Sequence, residues 1–156
     1  MSTISLGIVI IVVSDSRNEQ TDKSGKVLED RINTSGHKLI KKIFLKDNFE
    51  DIKTKLKELI SSDGHNVIIL SGGTGLTGRD STPEAVKSVI KKEIPGFGEI
   101  FRMISYNKIA TSSLQSRAIA GLADDKFIFA LPGSPGACRD AWDNILVHQL
   151  NSNTKP

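Results

Sequence analysis

The residues best equipped for chemistry lie in one stretch, Asn66 to Ala85, which reads NVIILSGGTGLTGRDSTPEA. Gly72, Gly73 and Gly75 can turn the chain tightly and aim backbone N–H groups at an anion, with the Ser71 and Thr74 hydroxyls beside them. Asp80 adds a carboxylate and Arg79 a guanidinium. Thr82 before Pro83 is a helix-start signal: a hydroxyl for orphan N–H groups, then a ring whose fixed φ suits the first helical position. Ahead of the loop, Val67 to Leu70 is an aliphatic run that stops abruptly at Ser71, the pattern of a strand buried on both faces of a parallel sheet. A strand, a glycine-rich loop and a helix start, in that order, present amides to phosphate at the carboxyl edge of an α/β sheet.

Two known phosphate motifs nearly fit and fail on specific residues. Gly73 to Gly78 satisfies G-x-G-x-x-G, but the dinucleotide fingerprint needs a helix opening on its third glycine and an acid about 20 residues later. Here the helix waits until Pro83, and the turn Pro95-Gly96 stands where that acid belongs. The same glycines have Walker A spacing, but Arg79-Asp80 replaces the required Lys and Ser/Thr.

The elements that must position this loop follow from the rest of the chain. Leu6 to Val13 reads as a buried central strand ending in Ser14-Asp15-Ser16-Arg17, Ser24 to Ser35 as a helix, and His37 to Leu45 as a less central strand ending at Asp47. His37 is most simply a solvated residue at that strand's start. Phe49 to Ser62 carries a helical stripe of Phe49, Ile52, Leu56, Leu59 and Ile60, with Lys53, Lys55 and Lys57 on a solvated face. Helices are expected over Glu84–Glu93, Gly96–Tyr106, Ser112–Gly121 and Ala137–Leu150, with a last buried strand over Lys126–Leu131 that breaks into Pro132-Gly133-Ser134-Pro135. The tail from Asn151 is polar and expected to fray. This alternation predicts an α/β fold of three layers, α/β/α, with a mainly parallel central sheet and right-handed crossovers. In such a sheet Ser14, Asp47, Ser71 to Gly75 with Asp80, and Pro132 to Ser134 share one edge.

Length and composition set limits. The 156 residues suit a single domain able to bury roughly two-thirds of its unfolded surface. A net charge of +3, lysines spread over many elements and 5% aromatic residues argue against a nucleic-acid partner. The single cysteine, Cys138, excludes an internal disulfide, fits a reducing compartment and reads as a core thiol. Leu6 to Val13 is too short to span a bilayer and lacks a basic leader, so the expected location is cytoplasmic, with no membrane partner.

SGGTGLTGRDSTPEA and LPGSPGA together resemble the MoaB/MogA family of molybdenum-cofactor biosynthesis proteins, related to the pterin-binding domains of gephyrin and MoeA. The segment GFGEIFRMISYNKIATSSLQSRAIAG over Gly96–Gly121 is most similar to the MoaB branch, and the match spans nearly the whole chain. The resemblance implies adenylyl transfer, in which the terminal phosphate of molybdopterin attacks the α-phosphate of Mg-ATP and releases pyrophosphate. It implies that Asp47 and Asp80 are the functional acids, suited to Mg²⁺ because that ion takes one or two carboxylates plus phosphates and water. Ser71, Gly72, Gly73, Thr74, Gly75 and Thr82 would then hold phosphates, while Ser14, Pro132, Gly133 and Ser134 match positions lining the pterin and nucleotide pockets. The family also implies a homo-oligomer, a trimer or hexamer, with part of Gly96–Ser113 between subunits.

Plainer readings stand beside these. Asp47 before a helix can be a cap or dipole partner; Asp80 can pair with Arg79; Ser134 can be turn chemistry; and Glu84 is a first-turn helix acid. Some MoaB proteins carry another pair in place of Arg79-Asp80, which leaves a non-catalytic molybdopterin-binding or carrier protein as the alternative to the transferase.

Overall fold

The computed structural model describes residues 4–150. Its elements are β1 (Gly7–Val13), α1 (Ser24–Thr34), β2 (Lys38–Leu45), α2 (Phe49–Ile60), β3 (Val67–Ser71), α3 (Thr82–Val89), β4 (Lys92–Glu93), α4 (Pro95–Ile109), a 3-10 segment (Ala110–Gln115), β5 (Ile119–Ala123) and β6 (Lys126–Leu131). The C-terminal helix is α5 (Pro135–Ala141), a π turn (Trp142–Leu146) and α6 (Val147–Gln149). The tail expected to fray lies outside the described residues.

The strands form a six-stranded sheet in the order β2-β1-β3-β6-β5-β4. β2, β1, β3 and β6 run parallel, with Ile10 beside Ile69 and Ile69 beside Phe129. Alternation along β1 explains why it lies inside. Ile8, Ile10 and Val12 point to the α1, α4 and α5 side, Val9, Ile11 and Val13 to the α2 and α3 side, and all six are buried. Each such side chain contributes roughly 1.5–3 kcal/mol of transfer free energy, and a strand apolar on both faces is stable only between two helical layers. The α/β/α architecture with a mainly parallel sheet is therefore the one observed.

The expected helix over Ser112–Gly121 is not formed. The chain makes a 3-10 turn and then β5, which pairs antiparallel with β6 through the hairpin at Asp124, where φ is 55°. Ala120 and Gly121 of this strand, and Ala118 just before it, are buried, with Gly121 tight against Ile90, packing that outweighs their weak helical spacing. The helix expected to end at Glu93 ends at Val89, and Lys92–Glu93 pairs with β5 as a short edge strand.

His37 is buried, not solvated. Its Nδ1 accepts the Leu6 amide at 3.1 Å, which makes Nε2 the donor to the Leu150 carbonyl at 2.5 Å. The ring ties the end of the last helix to the start of the sheet. Among the described residues, no helix is long and apolar enough to cross a membrane.

Candidate functional site

Parallel packing brings the carboxyl ends of β1, β2, β3 and β6 to one edge, and there the chain encloses a cleft of ≈ 580 Å³. That volume is within the range of small-molecule sites. Ser14, Asp15 and Arg17 come from the turn after β1, Asp47 from the turn after β2, and Gly72 to Gly75 with Arg79 and Asp80 from the loop after β3. Pro132 and Gly133 follow β6, while Gln115 and Ser116 close the wall on the 3-10 side.

The glycine loop has the backbone its sequence suggests. Gly72 takes φ 113° and Gly73 φ 70°, conformations that a side chain opposes. A Cβ on Gly72 would stand 2.1 Å from the Val13 carbonyl oxygen, and one on Gly73 2.3 Å from Thr82 Oγ1 and 2.9 Å from Asp47 Oδ2. The Gly72 amide is spent on Leu131 O at 2.9 Å, whereas the Gly73 and Thr74 amides have no hydrogen-bond partner among the described residues. Unpartnered N–H groups in and just after the left-handed Gly72-Gly73 turn are of the kind that can hold an anion.

Both expected acids are fixed by the loop. Asp47 Oδ1 accepts the Ser81 amide at 3.1 Å and the Ser81 hydroxyl at 2.7 Å. Its Oδ2 accepts no hydrogen bond among the described residues and lies on the Gly73 side. Asp47 is not the helix cap; Asn48 is, accepting the Asp51 amide at 3.0 Å. Asp80 Oδ2 accepts the Thr77 amide at 2.9 Å and hydroxyl at 2.7 Å. Partial burial raises the Asp80 pKa, but Thr77, the Gly75 amide and the Arg117 charge outweigh it and hold the carboxyl below the usual carboxylate range. Asp80 is therefore an anion at neutral pH. Its expected partner Arg79 instead reaches Asp15 Oδ2 at 2.5 Å.

Three of the expected residues support the cleft without lining it. Ser71 is buried beneath the loop, donating to Pro132 O at 3.3 Å and touching Cys138 Sγ at 3.4 Å. Thr82 is fully buried; its amide donates to Gly73 O at 3.1 Å and its hydroxyl has no partner among the described residues. Ser134 caps α5 by accepting the Ala137 amide at 3.2 Å, with its side chain exposed.

Besides Ser16 and Gln115 on the lining, four residues outside the expected set shape the site. Arg17 donates to Gly133 O at 2.6 Å and Ser24 Oγ at 3.1 Å, tying the turns after β1 and β6 together. Arg117, just before β5, donates to Gly75 O at 2.8 Å and Asp80 O at 3.0 Å, and it also pairs with Glu84. Ser116 lines the cleft with a buried hydroxyl that lacks a partner among the described residues. Asp15 receives both Arg79 and the Asp47 amide, and the Arg79 guanidinium holds its carboxyl below the usual range. Asp15 and Arg17 follow Ser14 at the end of β1, and Ser116 and Arg117 lie in the Gly96–Gly121 segment that resembles the MoaB branch, but nothing in their spacing marks them for the cleft.

Among the described residues, no three of His, Cys, Asp or Glu converge as a ready-made metal site. A cation here would need oxygens from a bound phosphate to complete its shell.

Residues 9–152 match the family described as probable molybdopterin binding domain. The chain is 46% identical over 149 residues to molybdenum cofactor biosynthesis protein B of Escherichia coli K12, covering 96% of this chain and 88% of that protein. It superposes on a crystal structure of a molybdenum cofactor biosynthesis protein B with TM-score 0.93 and 40% identity, covering 96% and 94% of the two chains. The tungsten cofactor synthesizing protein MoaB from Pyrococcus furiosus gives 0.83 and 30%, covering 94% and 92%. The chain therefore belongs to the MoaB/MogA family of molybdenum-cofactor biosynthesis proteins, built on the probable molybdopterin binding domain.

Proposed function

We propose that the protein acts in molybdenum cofactor biosynthesis by binding molybdopterin and ATP in this cleft and transferring an adenylyl group. A phosphate oxygen of molybdopterin bonds to the α-phosphorus of ATP, the bond from that phosphorus to the bridging oxygen of the β-phosphate breaks, and pyrophosphate leaves. The observation that carries the reading is the joint placement of two unpartnered loop amides, Gly73 and Thr74, with the carboxylates of Asp47 and Asp80. Amides of this kind hold phosphate oxygens, and fixed donors aimed at developing charge require no reorganisation during reaction. The unpartnered hydroxyl of Ser116, on the wall of the cleft, offers a further donor.

The residues also fit Mg²⁺. Asp47 Oδ2 is free beside Gly73, and Asp80 is ionised, so one or both would hold the ion along with phosphate oxygens. Bound there, Mg²⁺ would neutralise phosphate charge and orient the polyphosphate. The protein's own part is to hold the two substrates in line and to keep its carboxylates charged.

We further assign exposed apolar side chains of α4 and the 3-10 segment to contact between subunits of a homo-oligomer. Candidates are Ile100, Tyr106, Ile109, Met103 (64% exposed) and Leu114 (70%).

The test is pyrophosphate release from purified protein, molybdopterin and Mg-ATP. Release by the wild type, lost in Asp47→Asn and Asp80→Asn with the fold retained, supports the transferase. Molybdopterin binding without release favours the non-catalytic carrier instead.

A further inference from the structure

Three guanidinium groups surround the glycine loop, and they are held very differently. Arg17 is engaged by Gly133 O and Ser24. Arg117 is engaged by Gly75 O, Asp80 O and Glu84. Arg79 has one side-chain hydrogen bond among the described residues, to Asp15 Oδ2 at 2.5 Å, and both residues line the cleft. The pair is open to solvent, with Arg79 68% and Asp15 46% exposed. Asp15 is the fixed partner, because its other oxygen accepts the Asp47 amide at 3.1 Å.

The energies of these contacts order the alternatives. An exposed ion pair contributes about 0–1 kcal/mol. A guanidinium on phosphate oxygens makes two parallel charge-assisted bonds, each stronger than a neutral one, and its planar fork matches the phosphate. A polyphosphate seated on the Gly73 and Thr74 amides would lie in the same cleft as Arg79. The guanidinium would then have the better partner within the site it already lines.

We propose that Arg79 is a polyphosphate-binding residue that Asp15 holds in reserve, exchanging Asp15 for phosphate oxygens when the cleft fills. The inference rests on the reading of the cleft as a phosphate site and deepens it. Asp15 weakens anion binding as a competitor for Arg79.

The probe is inorganic tripolyphosphate, titrated calorimetrically into the wild-type protein, Arg79→Ala, Asp15→Asn and the double variant. Both sites are exposed turn positions, and the carboxamide of the Asp15→Asn variant keeps an oxygen for the Asp47 amide. Exchange predicts about tenfold weaker binding for Arg79→Ala. It predicts roughly two- to fivefold tighter binding for Asp15→Asn, the release of one exposed pair. In the double variant the Asp15→Asn gain disappears, because no guanidinium remains to be freed. Persistence of the gain in the double variant overturns the exchange, since Asp15 then acts only as a repelling charge. Wild-type affinity in Arg79→Ala overturns it too, while leaving the cleft a phosphate site. Absence of tripolyphosphate binding by the wild type overturns both the exchange and the phosphate reading.

Discussion

Ser81 donates both its amide and its hydroxyl to one oxygen of Asp47, at 3.1 and 2.7 Å, so a single carboxylate oxygen joins the turn after β2 to the start of α3. The other oxygen is left toward Gly73. This division separates holding from chemistry. Asp47→Asn keeps an acceptor for Ser81 and removes the charge, so stability should change by no more than about 1 kcal/mol. Pyrophosphate release should fall on the order of a hundredfold to a thousandfold. Ser81→Ala keeps the carboxylate but loosens it, with an expected loss of about tenfold in release. Urea midpoints and initial rates, measured on both variants, check this. Equal losses of stability and rate in Asp47→Asn would make Asp47 a structural tie.

Gly72 and Gly78 offer a contrast within one loop. A Cβ at Gly72 meets the Val13 carbonyl oxygen at 2.1 Å on backbone with φ 113°, whereas one at Gly78 meets nothing within 4 Å. Gly72→Ala must both strain the backbone and push β1 away from β3, an expected destabilisation of roughly 3 kcal/mol or more. Gly78→Ala should stay within about 0.5 kcal/mol of wild type. Denaturant unfolding of the two variants side by side is the measurement.

Cys138 lies under the same loop and should be chemically silent. Burial pushes its thiol up to about 11, and the nearby Ser71 hydroxyl only partly opposes this. A thiol in that state has almost no thiolate at neutral pH and no access to reagent. The native protein should therefore leave an aromatic disulfide reagent unreacted over the time in which the unfolded chain consumes one equivalent, since the sequence holds a single cysteine. Rapid labelling of the native state would contradict the packing beneath the Pro132 turn.

How much of this was legible in the sequence depends on where each signal resides. The runs at Ile8–Val13 and Val67–Leu70 announce themselves because a parallel strand buried on both faces must be apolar throughout. The ends of these strands, with that of β2, then place Ser14, Asp47, Gly72 to Gly75 and Asp80 at one edge by topology alone. β5 was not legible: Ile119 to Ala123 is short and rich in small residues, and only pairing with β6 makes it a strand. Arg117 was invisible for another reason. Its partners Gly75 O and Asp80 O are backbone carbonyls 42 and 37 residues away, and a carbonyl has no sequence signature. The Arg79–Asp15 pair spans 64 residues, so adjacency in sequence pointed Arg79 to Asp80 instead.

The opposite edge of the sheet carries a titrating group whose effect on stability has a definite sign. His65 is buried with Nε2 unpartnered among the described residues; burial lowers its pKa below the usual 6.5, and the charge of Lys126 lowers it further. A base that is harder to protonate when folded favours the unfolded chain wherever only the unfolded chain has taken up the proton. Stability due to this group is therefore whole above about pH 6.5 and is lost as pH falls from there toward the depressed folded value. Urea midpoints taken from about pH 7.5 down to about pH 5.5 should decline in the wild type, and His65→Gln should decline less steeply over the same interval. Comparing slopes removes any constant cost of the substitution itself. Identical slopes would mean that the folded pKa of His65 equals its unfolded value, contrary to the burial of the ring and the unpartnered position of its Nε2.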